Sequence, residues 1–389
     1  MIALSFCGFF CLGLALILLG ANQADLARDL DLDLVHTGML ASAFALGMLV
    51  GMTGAGPLYD RLPRRPLVIA SIFLTGIALF GFGPTSSFRE ALFLFAVIGF
   101  GSGAYDTLFN AAIAERFGER SAKPMALLHA GAAVGAIIGP LLVAAVATRW
   151  HWTRSFHAMG FAHLALAVAA LLIRFPEPTR TAASLTADSP SVFSKAIIPF
   201  VGVAFAYLGL ETTMAVFAIP YATQGLALDV IRGQTAISGM WFGLLAGRLG
   251  TLLLRGNLDG RVLIGSGILC CAAISIGAGF GSSQIAILYF CVGFALGPVF
   301  PVALALAGQR FPHSLGSVVG LVAGAGSTGC FAIPWLTGAL GDQAGITFAV
   351  KWLSVWALAI AVGGALIGRG RARAGRARKL IRCANWLIA

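Results

Sequence analysis

Long apolar runs alternate with short polar stretches along the whole chain. The runs are about 20 residues long, which is the length that an α-helix needs to cross the ~30 Å hydrocarbon core of a bilayer. Transmembrane β-strands would instead give ~10-residue segments of alternating hydrophobicity. The pattern therefore predicts an all-α membrane protein with twelve transmembrane helices. The predicted spans are approximately 2–20, 37–58, 67–86, 91–112, 124–147, 154–174, 196–221, 234–254, 262–281, 285–308, 317–340 and 347–367.

The first apolar run begins at Met1 and has neither a basic flank nor a clear cleavage site. Secretory signal peptides typically have both a basic flank and a cleavage site. We therefore predict that the first run is a retained helix and not a cleaved leader. Whether Met1 is the true start of the protein stays open at this point.

The two halves of the chain carry the same motifs at a constant spacing of 194 residues. The matching positions are Gly99-Phe100 and Gly293-Phe294, Gly103 and Gly297, Arg116-Phe117 and Arg310-Phe311, Gly135 and Gly329, and Pro140 and Pro334. Parallel repeats of this kind are one plan of transporter folds. The repeat predicts two six-helix halves related by a pseudo-two-fold axis along the membrane normal. We expect the domains to be an N-terminal bundle (1–174), a cytoplasmic linker (175–195), a C-terminal bundle (196–367) and a basic tail (368–389).

Composition excludes a soluble protein and indicates that the net positive charge reflects membrane topology. Only 11% of the residues are charged and the mean hydropathy is +0.91, whereas soluble domains carry roughly 25% charged residues. The net charge of +11 does not predict a nucleic-acid partner, because 20 of the 26 Lys and Arg residues lie in the even-numbered loops, at adjoining helix ends or in the tail. Arg248 and Arg255 belong to this group. The positive-inside rule then places both termini in the cytoplasm of a multi-pass inner-membrane protein.

A short motif after span 2 carries the family resemblance. The stretch GPLYDRLPRR resembles the signature loop of the major facilitator superfamily, with Pro63 where that family usually has Gly. The matching residues are Gly56, Asp60, Arg61, Arg64 and Arg65, and the repeat superposes Arg61 on Arg255. The resemblance implies that these six residues form a cytoplasmic gate. Physically, Gly56 permits close helix packing, and Asp60 can face the positive end of a helix.

Within the superfamily, two finer resemblances compete. Span 7 (YLGLETTMAVFAIPY) is similar to the Tyr-x-Gly-x-Glu pattern of the fucose–galactose–gluconate:proton symporters, through Tyr207, Gly209 and Glu211. This resemblance implies symport of a sugar or a similar polar solute with a proton. The sequence Gly135-x-x-x-Gly139-Pro140 resembles part of a span 5 signature of proton-driven drug exporters. The arginine that those exporters place in span 4 is absent, so export of a hydrophobic compound is the alternative.

Two acidic residues, Asp106 and Glu211, lie well inside apolar spans. An ionised group at the centre of a transmembrane helix costs ~2.5–3.5 kcal/mol on insertion scales, so such residues usually face a cavity or a partner. A carboxyl group that gains a proton on one side and releases it on the other would couple transport to the proton gradient. The alternative is a structural hydrogen bond between helices. The residue equivalent to Asp106 in the second half of the repeat is Phe300, so the two halves differ at this position.

Four further polar residues are candidate partners for substrate hydroxyl groups: Asn110, Tyr207, Gln234 and His129. His129 is alternatively a proton relay, and each of the four is alternatively a contact between helices. Prolines at 199, 220, 298, 301 and 334 are expected to break spans 7, 10 and 11.

No nucleophile motif, phosphate-binding loop or metal-ligand spacing appears, so we expect no enzyme activity, no cofactor and no metal. The expected partners are a small-molecule substrate, a coupling proton and membrane lipid, the last in part through the basic tail. Sodium stays open as the coupling ion, because a carboxylate beside a broken helix can also hold it. A sensor that binds a solute without moving it is a further possibility, and a monomer is expected.

Overall fold

Helices account for the regular structure of the described part of the chain, which contains no strand. A computed structural model describes residues 1–32, 34–83, 87–173, 175, 191–277 and 284–369. The twelve spans are α1 (Ile2–Ala21), α2 (Leu34–Arg61), α3 (Arg64–Phe80), α4 (Phe88–Phe117), α5 (Ala122–Ala147), α6 (Thr153–Leu171), α7 (Ile198–Pro220), α8 (Val230–Leu253), α9 (Gly260–Gly277), α10 (Ile285–Leu296 and Val299–Arg310), α11 (Leu315–Ala344) and α12 (Ile346–Arg369, with a turn at Leu353). A short helix, Gln23–Asp29, lies between α1 and α2. Among the residues that the structure describes, ten helices are long and apolar enough to cross a membrane.

Polar residues at the boundaries explain where several helices begin. Ser87 and Glu90 form a capping box at the start of α4, in which each side chain accepts a hydrogen bond from the backbone N–H of the other residue (3.3 and 2.7 Å). Asp229 accepts from the backbone N–H of Arg232 at 2.8 Å and begins α8. These caps satisfy N–H groups that have no partner inside the helix.

The repeated glycines lie at equivalent helix contacts in the two halves. A Cβ atom on Gly99 would lie 2.0 Å from a carbonyl oxygen of α2, and one on Gly293 would lie 2.1 Å from a carbonyl oxygen of α8. Gly135 packs against α1 and Gly329 against α7 with the same closeness, 2.2 and 2.1 Å. Small residues allow helix backbones to approach each other in a membrane. The predicted all-α fold of twelve helices in two similar halves is confirmed, although the individual domain boundaries stay predictions.

Prolines interrupt only some of the helices in which breaks were expected. The helix α10 stops at Leu296 and restarts at Val299, across Gly297-Pro298. The helix α7 ends at Pro220 and passes into a π-helical turn, Tyr221–Gly225. The expected breaks at Pro199 and Pro334 are wrong: Pro199 lies in the first turn of α7, where its missing N–H costs nothing, and α11 continues through Pro334.

We call the end of the bundle that carries Arg61, Arg116, Lys123, Arg255 and Arg310 the basic end. The central linker lies mostly outside the described residues, as does the tail from residue 370 onward. The expected contact between tail and lipid therefore falls outside the described part of the chain.

Candidate functional site

Asp106 and Asn110 face the interior of the bundle from successive turns of α4. Asp106 is 3% exposed and Asn110 is fully buried. Asn110 donates from Nδ2 to Oδ1 of Asp106 at 3.3 Å, and also to the Asp106 carbonyl oxygen at 3.1 Å. The second carboxyl oxygen, Oδ2, is buried and has no hydrogen-bond partner. One oxygen of this carboxyl group therefore accepts a hydrogen bond, whereas the other has no hydrogen-bond partner within the protein.

His129 connects α5 to this pair and to the other half of the molecule. Its Nε2 lies 3.1 Å from Oδ1 of Asn110, so the imidazole donates to the amide. The His129 ring meets Phe300 edge-on, with ring centroids 5.3 Å apart. Phe300 in turn stacks on Tyr207 at 5.6 Å, with 11° between the ring planes. The apolar counterpart of Asp106 in the repeat thus forms the aromatic contact between the halves.

Arg248 is the functional candidate that sequence reasoning missed. It was grouped with the cations at helix ends, but the structure places it five residues before the end of α8, where it is only 5% exposed. Its Nη1 donates to the His129 carbonyl oxygen at 3.0 Å and its Nη2 donates to the Tyr207 hydroxyl at 3.1 Å. The sequence signal was present, because Arg248 has apolar residues on both sides, but the pattern does not tell which way the side chain points.

Glu211 lies one helical turn after Tyr207 on α7. The residue is half-buried, and its Oε2 is shielded from solvent without a hydrogen-bond partner. Its polar neighbours include the Tyr207 hydroxyl, the Arg248 guanidinium and the Cys330 thiol on α11. We use the name central cluster for Asp106, Asn110, His129, Phe300, Tyr207, Glu211 and Arg248.

The central cluster can exchange protons and bind polar groups. Two of its carboxyl oxygens are buried without a hydrogen-bond partner, so each can take up a proton or accept a hydrogen bond from a bound solute. A buried guanidinium and a tyrosine hydroxyl supply donors beside them. The cluster spans α4, α5, α7, α8 and α10, so a movement of one half against the other would rearrange it.

Gln234 does not join the central cluster. The structure places it near the start of α8, exposed, 14 residues before Arg248. At 1.5 Å per residue this is about 21 Å along the helix. Its assignment as a substrate ligand stays a prediction, without a contact to the other five candidates.

Asp60 joins the two halves at the basic end. Its Oδ1 accepts from the backbone N–H of Gly316 at 2.8 Å. Its Oδ2 accepts from the backbone N–H and the hydroxyl of Ser317 at 2.9 and 2.6 Å. These groups belong to the first turn of α11, where the helix dipole favours a negative charge. The side chain of Asp60 on α2 therefore caps a helix of the other half.

Glycines bring α2 and α11 together next to this cap. A Cβ atom on Gly56 would lie 2.5 Å from the Gly316 carbonyl oxygen, and one on Gly316 would lie 2.4 Å from that of Gly56. No side chain larger than hydrogen fits at either position without a shift of the backbone. The crossing of the two helices at the basic end is therefore fixed by this glycine pair.

Arg64, the first residue of α3, binds to α4 within the N-terminal half. It is 7% exposed and forms an ion pair with Glu115 on α4, with N–O distances of 2.6 and 2.9 Å. Tyr59 donates to the same carboxylate at 2.7 Å, and the Arg64 guanidinium lies 4.5 Å from the centre of the Tyr59 ring. The other three predicted gate arginines, Arg61, Arg65 and Arg255, are exposed, and Arg65 donates to the Leu171 carbonyl oxygen.

In a second contact between the halves, a cationic side chain binds the C-terminal end of a helix. Lys123, at the start of α5, donates from Nζ to the carbonyl oxygens of Leu252 and Leu254 at the end of α8. Leu254 is the repeat counterpart of Asp60, and Ser317 is that of Lys123, each 194 residues later. An anion thus meets a helix N-terminus in one contact, and a cation meets a helix C-terminus in the other, as helix dipoles favour. We call these two contacts the paired latch.

Comparison with known proteins identifies the family. The sequence profile of the Major Facilitator Superfamily matches residues 4–334. The chain belongs to the major facilitator superfamily. It is therefore a multi-pass membrane transporter of a small molecule, and this family does not consist of enzymes.

Two relatives align with most of this superfamily member, and a third aligns with less than half of it. An uncharacterized MFS-type transporter, YfkL of Bacillus subtilis, is 26% identical over 87% of this chain and 88% of its own length. The inner membrane transport protein YdiN of Escherichia coli is 22% identical over 86% of this chain and 82% of its own. The multidrug resistance protein MdtM of Salmonella typhimurium is 29% identical over 44% of this chain and 43% of its own.

Solved transporters have the same fold. The E. coli fucose:proton symporter FucP, in an outward conformation, superposes with a TM-score of 0.80 over 94% of this chain and 98% of its own, at 18% identity. The proton:xylose symporter XylE superposes with a TM-score of 0.73 over 93% of this chain and 94% of its own, at 13% identity. At these identities the superposition establishes the fold alone.

Proposed function

We propose that this protein is a secondary active transporter that imports a small polar solute together with a proton. The central observation is the pair of carboxyl groups, Asp106 and Glu211, one in each half, each with a buried oxygen that has no hydrogen-bond partner. An intramembrane ionisable residue is most often part of a substrate or proton path. The proton symporters FucP and XylE, which have this fold, support the same reading.

The proposed cycle uses the central cluster as the place where solute and proton meet. Asp106 and Glu211 gain protons while the cluster faces the outer compartment and release them when it faces the cytoplasm. Asn110 and His129 hold the orientation of the Asp106 carboxyl group. Tyr207 and Arg248 supply donors to the solute. Binding and movement are then linked, because the cluster draws its groups from both halves.

We further propose that the paired latch closes the cytoplasmic side. Asp60 and Lys123 each bind an end of a helix in the opposite half, and separation of the halves would break both contacts. The Lys and Arg distribution supports a cytoplasmic location for this end and for both termini. The name of YdiN supports an inner-membrane location. A monomer in contact with anionic lipid completes the proposal.

Export of a hydrophobic compound in exchange for protons is the second candidate. It is favoured by the partial match to the multidrug resistance protein MdtM and by Gly135, Gly139 and Pro140. It is disfavoured by α4, in which no basic residue occurs between Arg89 and Arg116.

The direction of the driving gradient tests the proposed function. Purified full-length protein in proteoliposomes is first screened by counterflow against labelled sugars, sugar acids and other small polar solutes. We expect an exchanged solute to accumulate when the outside is acidic, and to reach only its equilibrium level when an ionophore collapses the gradient. Accumulation that requires an acidic interior would contradict symport and support proton-driven export.

A further inference from the structure

Arg248 is a buried cation without a direct anionic partner. Among the described residues, its hydrogen bonds go to two neutral acceptors, the His129 carbonyl oxygen and the Tyr207 hydroxyl. No carboxylate of the described chain forms an ion pair with it. Buried charges in proteins are normally paired, because transfer of a charge from water to a low-dielectric interior is costly. The charge of Arg248 is therefore incompletely compensated.

One edge of the Arg248 guanidinium is incompletely hydrogen-bonded. Nε and Nη2 lie on the same edge, and a carboxylate binds best to two parallel N–H groups of this kind. Nη2 donates to the Tyr207 hydroxyl, whereas Nε is buried and has no partner. The Tyr207 hydroxyl accepts from Nη2, and its own hydrogen is directed to the Glu211 carboxyl group beside it. The unpaired Nε–H and the adjacent Nη2 group thus mark the position at which a carboxylate can bind.

Glu211 is the one acidic group whose charge interacts with Arg248 inside the cluster. Asp106, on α4, is held by Asn110 instead. An ionised Glu211 partly balances Arg248, and a protonated Glu211 leaves Arg248 without compensation. An external carboxylate and the Glu211 carboxylate therefore compete for the same cation.

We propose that Arg248 binds a carboxylate group of the solute, so that the substrate class is small organic acid anions. The inference rests on the proposed proton symport. Glu211 takes a proton from the outer compartment and becomes neutral, and the solute carboxylate then occupies the Nε–Nη2 edge of Arg248. On the inner side Glu211 loses the proton, its carboxylate balances Arg248 again, and the solute leaves. The proton and the anion thus enter together.

Matched pairs of acids and amides test the chemical class. The probes are lactate and lactamide, gluconate and gluconamide, and benzoate and benzamide. Each amide has the shape of its acid but no charge. Binding is measured as thermal stabilisation of the detergent-purified full chain, and transport as counterflow with protein-free liposomes subtracted. We expect at least one acid to bind and exchange, and its amide to do neither.

Substitutions at Arg248 test the residue. Arg248→Gln is expected to weaken binding of that acid by about 10- to 100-fold, the loss typical of one hydrogen bond to a charged group. Arg248→Lys retains the charge but lacks the two parallel N–H groups of the guanidinium, so a smaller loss of affinity is expected. Arg261→Gln removes an arginine whose side chain is 91% exposed and serves as the matched control. It is expected to behave as the wild type.

A pH profile separates this role from a merely structural one. From about pH 6 to 8 the probe acids stay ionised, so a change in affinity reports the protein. Affinity of the wild type for the acid should fall at the pH at which Glu211 loses its proton, because the Glu211 carboxylate then competes for Arg248. Glu211→Gln should bind the acid tightly and equally across this range. This variant also tests the proposal if Arg248→Gln fails to fold.

Three results would overturn the assignment of Arg248: binding of amides but not acids, no binding of any acid, or unchanged acid binding in Arg248→Gln. If a neutral solute nevertheless accumulates under an inward proton gradient, the proposed symport stands without the anion site. If acids bind and exchange but never accumulate under that gradient, the anion site stands and the proposed symport fails.

Discussion

At the scale of single residues, the departure of Asp106 from the repeat was the most useful signal in the sequence. The residues Asp106, Asn110 and His129 were predicted separately from two spans, and the structure joins them by hydrogen bonds. Arg248 could not be assigned in this way. Its bonds go to residues 119 and 41 positions away, and hydrophobic periodicity carries no information about such contacts.

Asn110 is the residue whose removal should disturb the cluster most directly. Asn110→Leu would leave Oδ1 of Asp106 and Nε2 of His129 buried without a side-chain partner, and an unsatisfied buried polar group costs about 1–3 kcal/mol. We expect a lower melting temperature in detergent than for the wild type. Gln234→Leu, at an exposed position, is the control. Equal melting temperatures for the two variants would contradict the hydrogen-bond network.

At the scale of helices, sequence analysis predicted the number and approximate limits of the spans, because length and hydrophobicity are local properties. It also predicted that Gly56 permits close packing and that Asp60 faces a helix N-terminus. It did not identify the partner, since α11 follows some 260 residues later and nothing local points to it. The continuation of α11 through Pro334 was missed for a similar reason: local sequence does not show whether surrounding helices support an interrupted backbone.

The glycine contact between α2 and α11 leads to a prediction about the basic end. A Cβ atom at position 56 would lie 2.5 Å from the Gly316 carbonyl oxygen, so Gly56→Ala requires roughly 1 Å of separation to reach ordinary contact. We expect it to destabilise the closed basic end by about 1–3 kcal/mol, as overpacking typically does. Gly54→Ala is the control, because a Cβ atom there would meet nothing within 4 Å.

Spin labels can measure this separation. The labels are attached through Arg120→Cys and Asn257→Cys, two exposed positions on opposite halves of the basic end, in a chain without its native thiols. Gly56→Ala should increase the long-distance population, and Gly54→Ala should match the unsubstituted chain. Identical distance distributions for all three proteins would contradict the close contact as the element that closes this end.

At the scale of the whole molecule, the two halves repeat the same helix contacts but differ where function is proposed. The repeat predicted the scaffold, including the matching glycine contacts. The paired latch follows the same symmetry with its charges exchanged, a feature that appears only when the halves are placed together. The central cluster likewise combines an acid on α4 with an arginine on α8 and a phenylalanine on α10. The sequence shows the elements of this arrangement but not which of them lie next to each other.

The central claim is that Asp106 and Glu211 carry the coupling proton. Its most direct test compares two transport modes of Asp106→Asn and Glu211→Gln in proteoliposomes. Counterflow needs only solute exchange, whereas accumulation against a solute gradient needs the proton. We predict that both variants retain counterflow and lose accumulation driven by an acidic exterior, while the wild type performs both. Full gradient-driven accumulation by both variants would contradict the claim.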